Sequence, residues 1–228
     1  MPEIKLAVFD IAGTTVEDNN AVAATFRKAF ELYGYTVSDE DVKPLMGYKK
    51  PVAIKMMLEK MGVDADEDLV DDIFREFEIE MVDHYENSPD VKPMPGAEEV
   101  LSQLKEKGIA ITLNTGFSKK IADTIMERLQ WLQQGLVDDY IASDEVEEGR
   151  PKPFMIQTLM KRAGLSDPKQ VIKIGDTEVD VNEGRNAGCA LVIAITTGAF
   201  NRDQLKPYSP DYIIDNLSEL PAIIFDRG

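Results

Sequence analysis

The sequence predicts an α/β fold, a parallel sheet covered on both faces by helices and interrupted by an all-helical insertion. Three observations lead there. Short apolar runs rich in β-branched residues recur along the chain and stop at polar turns. Helical patterns fill the intervals between them, and strands that alternate with helices build parallel sheets. Between about Val16 and Lys92 the alternation breaks, and only helical patterns are found.

The first predicted strand is Ile4–Phe9 (IKLAVF). It stops at Asp10 and is followed closely by Gly13, as expected of a buried strand that ends in a polar turn. Helices are then predicted over about Asn20–Leu32, Asp39–Leu45, Pro51–Lys60 and Asp66–Glu86. The last region carries eleven acids between Asp64 and Glu86 against one arginine, Arg75. Such a run reads as a solvated helix face. Ser88-Pro89 and Lys92-Pro93-Met94-Pro95-Gly96 read as the return hinge. Residues 1–15 and 94–228 are therefore assigned to the sheet domain, and 16–93 to the helical insertion. Later strands are predicted at Ile109–Leu113, Tyr140–Ala142, Val171–Ile174, Ala190–Ile195 and Tyr212–Ile214. Helices are predicted at Gly96–Lys107, Lys119–Gln133, Pro153–Ala163 and Val179–Ala187.

Composition narrows the function. The chain has 228 residues, 43% hydrophobic and 29% charged, enough apolar surface for a real core and too much for disorder. Lys+Arg total 25 against 42 Asp+Glu, a formal charge of −17. That field repels a polyanion and excludes a nucleic-acid partner. A small phosphorylated or phosphonate substrate remains open where local cations or a metal offset the field. Cys189 is the single cysteine, which excludes a disulfide framework. No apolar run approaches a membrane span. Met1-Pro2-Glu3-Ile4-Lys5 lacks the basic and apolar regions of a signal peptide. The expectation is a cytoplasmic protein without a membrane partner, monomer or homodimer.

Ligands of parallel α/β sheets collect at the carboxyl ends of the strands. Asp10 ends the first strand, and Asn114-Thr115-Gly116 follows the second. Arg150-Pro151-Lys152-Pro153 comes after the third, and Gly175-Asp176-Thr177 after the fourth, with Asp180 beyond. Taken singly, each is a common turn, cap or surface residue; together and in this order they fit phosphoryl transfer. Asp10 could attack phosphorus and form an aspartyl-phosphate. Asp10, Asp176 and Asp180 in one pocket would raise one another's pKa values, and Mg²⁺ would relieve that repulsion. The Thr115 hydroxyl and backbone N–H groups around Gly13 and Gly116 could hold phosphoryl oxygens. Arg150 could steady the nucleophile and the transferring group.

These four segments resemble, in order and across nearly the whole chain, the four motifs of the haloacid dehalogenase superfamily. The resemblance is stronger to its phosphonatase branch, in Asp10-Ile11-Ala12-Gly13-Thr14-Thr15-Val16, Gly149-Arg150-Pro151-Lys152-Pro153, and Gly175-Asp176-Thr177 with Glu183-Gly184-Arg185-Asn186-Ala187-Gly188. It implies a Rossmann-like parallel-sheet core with an inserted all-helical type-one cap. It implies a Mg²⁺-dependent hydrolase of a small phosphonate or phosphate compound, with Asp10 as nucleophile. Asp10, the Ala12 carbonyl, Asp176 and Asp180 would form the metal site. In Met46-Gly47-Tyr48-Lys49-Lys50, Lys50 falls at the position of the branch's Schiff-base lysine, with Met46 and Gly47 beside the substrate and Lys49 expected to lower the Lys50 pKa.

The departures are specific. Typical phosphatases of the superfamily carry an acid two residues after the nucleophile; here it is Ala12. Loss of a general acid costs a phosphomonoesterase roughly 10²–10⁴-fold in rate. Phosphonatases share this alanine, because an iminium accepts the electrons of the breaking C–P bond. Other branch residues differ: Ala53 replaces a histidine, Asn20 a cysteine and Phe117 a tyrosine, while the single histidine, His84, lies in the acidic helix. Two further readings stay open, a slow phosphomonoesterase for a sugar phosphate or nucleotide, and a non-catalytic relative that binds a ligand or partner.

Overall fold

Six strands, β1 (Leu6–Asp10), β2 (Ala110–Thr115), β3 (Asp139–Ala142), β4 (Val171–Gly175), β5 (Leu191–Ile195) and β6 (Tyr212–Ile214), build one sheet in the computed structural model. The structure describes residues 3–225; Met1, Pro2 and residues 226–228 of the predicted sheet domain lie outside the described residues. The sheet order is β3-β2-β1-β4-β5-β6, and every neighbouring pair is parallel. The predicted parallel α/β class is thus observed. The chain leaves β1 toward β2 and β3 on one side, then returns to β4 on the other. The crevice at this reversal is where open α/β sheets bind ligands. Register places Asp10 beside Asn114 and Phe9 beside Ile174, so the carboxyl ends of these strands converge.

Strand periodicity explains the two cores. Ala7 and Phe9 point into one buried cluster, Leu6 and Val8 into the other, the two-residue alternation of a sheet buried on both faces. The first cluster continues into the helices that separate β1 from β2: α1 (Ala21–Leu32), α2 (Asp39–Val42), α3 (Lys50–Lys60) and α4 (Glu67–Asn87). α1 buries Val22, Phe26, Ala29 and Phe30, the spacing of one helix face. Phe26 stacks on Phe30 at 5.0 Å and meets Phe77 of α4 edge-on at 6.2 Å. The acidic residues of α4 largely face outward, while Val70, Ile73, Phe77, Met81 and Tyr85 are buried. The segments into and out of this helical block lie side by side: Glu17 N–H donates to the Lys92 carbonyl at 3.0 Å, and Met94 N–H to that of Thr15 at 2.8 Å.

The remaining helices, α5 (Ala97–Glu106), α6 (Lys119–Leu129), α7 (Phe154–Arg162), α8 (Glu178–Ala187), α9 (Arg202–Leu205) and α10 (Leu220–Phe225), pack around the sheet. Differences from expectation have local causes. The helix predicted over Asp39–Leu45 changes to a 3₁₀ turn at Lys43–Leu45, since Pro44 has no N–H to continue α-helical bonding. α6 stops at Leu129 because Gln130 turns left-handed at φ 58°. β1 runs one residue further than predicted, so Asp10 is its last residue. α9 and α10 are short and were not anticipated. No helix among the described residues is long and apolar enough to cross a membrane.

Candidate active site

The loop-facing end of β1 presents Asp10 to a ring of buried charges. Arg150 Nη1 donates to Asp10 Oδ1 at 2.6 Å and lies 3.1 Å from Asp180 Oδ1. Its Nη2 donates to the Asn114 carbonyl and side-chain oxygen, both at 2.6 Å, and its Nε stands 3.2 Å from Glu183. Lys173 Nζ is 2.8 Å from Asp180 and donates to Asn114 Oδ1 at 2.7 Å. The side chains of Arg150 and Lys173 are fully buried. Hydrogen bonds this well formed to charged groups orient a guanidinium rigidly. Asp176, just past β4, accepts from the Ala199 N–H at 2.6 Å.

One oxygen of each of Asp10, Asp176 and Asp180 lies within 4.8 Å of the others. Burial pushes the carboxyls of Asp10 and Asp176 up; Asp180 adds to this at both, and Arg150 only partly offsets it at Asp10. Asp180 does not follow the expected rise. Burial pushes it up, but Arg150, Lys173 and the Thr177 hydroxyl together hold it below its usual value. Among the described residues, the buried carboxylates Asp10, Asp176, Asp180 and Glu183 outnumber the buried cations Lys50, Arg150 and Lys173. That shortage of positive charge, with hard oxygen donors converging, suits a divalent cation such as Mg²⁺.

Above the carboxylates lies a cavity of about 40 Å³ lined by Asp10, Ala12, Gly13, Met46, Gly47, Lys50, Thr115, Gly116 and Asp176, among others. The sequence-predicted residues therefore meet at one place, with Arg150 and Asp180 supporting Asp10 from behind. Phe117 N–H donates to Thr115 Oγ1 at 3.2 Å, which leaves the Thr115 hydroxyl proton free to donate. The Gly13 N–H already donates to the Val16 carbonyl at 2.8 Å; Gly13 serves as wall, not as an open donor.

Lys50 is the first residue of α3 and is only 3% exposed. Its ammonium lies 5.3 Å from the Phe117 ring and 5.9 Å from Phe77, and it donates to the Tyr48 carbonyl at 3.3 Å. Burial brings its pKa down to about 8 against the opposing pull of Asp10, and the Arg150 charge also lowers it. The expected role of Lys49 is therefore corrected: Lys49 packs against Gly149, and desolvation acts in its place. Phe117, at the tyrosine position of the phosphonatase pattern, forms part of the floor under this amine. Ala53 is buried in the core. Asn20 sits exposed at the start of α1.

Two glycines let the helical block approach this closely. A Cβ on Gly116 would stand 2.5 Å from the carbonyl oxygens of Gly47 and Tyr48. Gly47 itself has φ +82°, and a Cβ there would meet Thr177 Oγ1 at 2.5 Å. Tyr48 closes the contact by donating to Glu178 at 2.9 Å.

Residues 7–214 match the model of the haloacid dehalogenase-like hydrolase family. The chain belongs to this family. It is similar to phosphonoacetaldehyde hydrolase of Paraburkholderia phytofirmans, 27% identical over 99% of this chain and 96% of that protein. In fold it is similar to a phosphonoacetaldehyde hydrolase-like protein from Oleispira antarctica, with TM-score 0.84, 22% identity and coverage of 98% and 92% of the two chains. A hydrolase from Pseudomonas syringae superposes with TM-score 0.85 at 16% identity, covering 96% and 97%. The chain is a haloacid dehalogenase-like hydrolase, and the buried acidic cluster is where this hydrolase could hold a metal.

Lys173 was not singled out in the sequence, and Asn114 and Glu183 were noted there without a role. The three form the buried scaffold under Arg150. A lysine inside the apolar run Val171–Ile174 was the visible signal, since a charge in a central strand must be paired. Asp18 also lines the cavity. Its carboxylate accepts from Val22 N–H at 3.0 Å, and burial raises it despite Lys50 and His84 nearby. Locally, Asp18 reads only as a helix cap.

Proposed function

We propose that this haloacid dehalogenase-like hydrolase cleaves a small phosphonate, or a related phosphate compound, through an aspartyl-phosphate on Asp10, with the helical block as its cap. The observation that carries this reading is the Asp10 carboxylate held by Arg150 at 2.6 Å inside a triad with Asp176 and Asp180. Asp10, Asp176 and Asp180, with the Ala12 carbonyl, would hold Mg²⁺, which when bound supplies charge neutralisation and draws phosphoryl oxygens into the site.

Arg150 fixes the Asp10 oxygen that is not aimed at substrate and offsets negative charge as it develops. The Thr115 hydroxyl donates to a phosphoryl oxygen. Lys50, as the neutral amine, adds to a substrate carbonyl; water leaves and an iminium forms. The free Asp10 oxygen then bonds to phosphorus as the C–P bond breaks, and that electron pair flows into the iminium to give an enamine. Water cleaves the aspartyl-phosphate to phosphate and free Asp10, and hydrolysis of the enamine returns Lys50. This route needs no acid at position 12, consistent with Ala12. Aromatic walls and the close cap keep bulk water from the reacting groups.

A second reading, phosphomonoester hydrolysis, is favoured by Asp18. Its carboxyl is raised by burial and lines the same cavity, as a proton donor to an oxygen leaving group requires.

Acetyl phosphate, whose leaving group needs no acid, tests the shared first step. Phosphate release with Mg²⁺ is expected for the unsubstituted protein and a fall of at least about 10⁴-fold for Asp10→Asn, with an unchanged melting curve. Equal turnover by the two proteins would sink the assignment of Asp10. Phosphonoacetaldehyde against a phosphomonoester panel then separates the two readings.

A further inference from the structure

The catalytic cavity is much the smaller of two adjoining spaces. Its roughly 40 Å³ is room for about three water-sized atoms, which suits the oxygens of a phosphoryl group. A second cavity of about 430 Å³ adjoins it, and the two share Asp18, Met46 and Ala199 as walls. The larger space is bounded by the insertion on one side (Asn19, Asn20, Ala23, Asp39, Lys43) and by Thr197 and Gly198 after β5 on the other.

Lys43 is the cation of this second cavity, and it is unmatched. The two aspartates nearest Lys43 in sequence are already taken: Arg27 pairs with Asp39 at 3.0 Å and Lys60 with Asp41 at 2.7 Å. Asp18, at the seam between the cavities, faces Lys50. Lys43 has no ion-pair partner among the described residues and is half-buried, so water only partly screens its charge. The same side of the cavity holds Asn19 and Asn20, both at positive φ, 44° and 67°. Consecutive left-handed residues are uncommon outside glycine, and here they turn a polar corner onto the cavity.

We infer that the second cavity seats the part of the substrate beyond its phosphoryl group, and that this part carries a second anionic group held by Lys43. The inference rests on the phosphohydrolase reading and names its substrate class. With Lys50 as carbonyl acceptor, that class is a phosphonate with a carbonyl next to the phosphorus-bearing carbon and a carboxylate or second phosphoryl group beyond it.

Binding tests this without turnover. ω-Phosphonocarboxylates of two to five carbons and α,ω-bisphosphonates of the same lengths are titrated calorimetrically, with Mg²⁺, against matched alkylphosphonates. At one chain length or more the doubly anionic ligand is expected to bind at least about tenfold more tightly, the worth of one charge-assisted hydrogen bond. Lys43→Ala erases that preference and Lys43→Arg keeps it. Which series wins tells a carboxylate from a second phosphoryl group. Equal affinity at every length, or a preference that survives Lys43→Ala, overturns the inference. Failure of the underlying reading looks different: no phosphonate binds at all, and acetyl phosphate turnover is absent or insensitive to Asp10→Asn.

Discussion

At the residue scale, Lys50 owes its chemistry to burial. An ordinary lysine is about 0.1% neutral at pH 7.5, whereas a pKa of about 8 leaves roughly a quarter of it neutral. Because the neutral amine is the nucleophile, adduct formation rises with pH through about 8 and levels off above. Borohydride reduction in the presence of phosphonoacetaldehyde, followed by mass spectrometry across pH 6–10, should trap Lys50 with that profile, and Lys50→Arg should trap nothing. A flat profile, or an adduct elsewhere, would remove Lys50 from the mechanism. Stability carries the same sign: between about 8 and the ordinary lysine value the unfolded chain binds the extra proton, so this residue's contribution to stability rises with pH across that window. The Met-Gly context made position 50 readable in the sequence. Its aromatic floor was not, because Phe77 and Phe117 come from distant segments.

At the scale of elements, the approach of the Met46–Tyr48 loop to the Thr115–Gly116 turn decides whether the site is closed. Gly47→Ala places a Cβ against Thr177 and Val179 at φ +82°. The left-handed backbone alone costs about 1–2 kcal/mol, a fall in Tm of about 2–8 °C for a chain of this size, and kcat/KM is expected to drop well beyond what that loss explains. Gly62→Ala is the matched control, since Gly62 has φ +72° with nothing within 4 Å. Its Tm falls comparably while activity stays. Equal kinetic losses in both variants would show that strain, not proximity, is responsible. Element positions were largely legible, because apolar periodicity is local. Their ends shifted where one residue changed the rules, as Pro44 and Gln130 did.

For the whole molecule, the charge imbalance at the site sits within a chain of net charge −17. A divalent cation relieves repulsion in the folded state and finds no such cluster in the unfolded chain, so Mg²⁺ should raise the melting temperature. At one hundred times its Kd the gain is about 2.7 kcal/mol. Scanning fluorimetry with Mg²⁺ against Na⁺ at matched ionic strength measures it, and Asp176→Asn should lose the shift. A shift retained in that variant would place the cation elsewhere.

The alternation of strands and helices, the helical insertion and the turn residues Asp10, Thr115, Arg150 and Asp176 could be read before folding, because each is written in local periodicity and spacing. Folding alone brings Arg150 to Asp10 across 140 positions, completes the scaffold with Lys173 and Glu183, moves Asp180 opposite to its neighbours and leaves Lys43 without an ion-pair partner among the described residues. These depend on burial and on distances through space, which follow from the order of strands in the sheet and are encoded in no short stretch of chain.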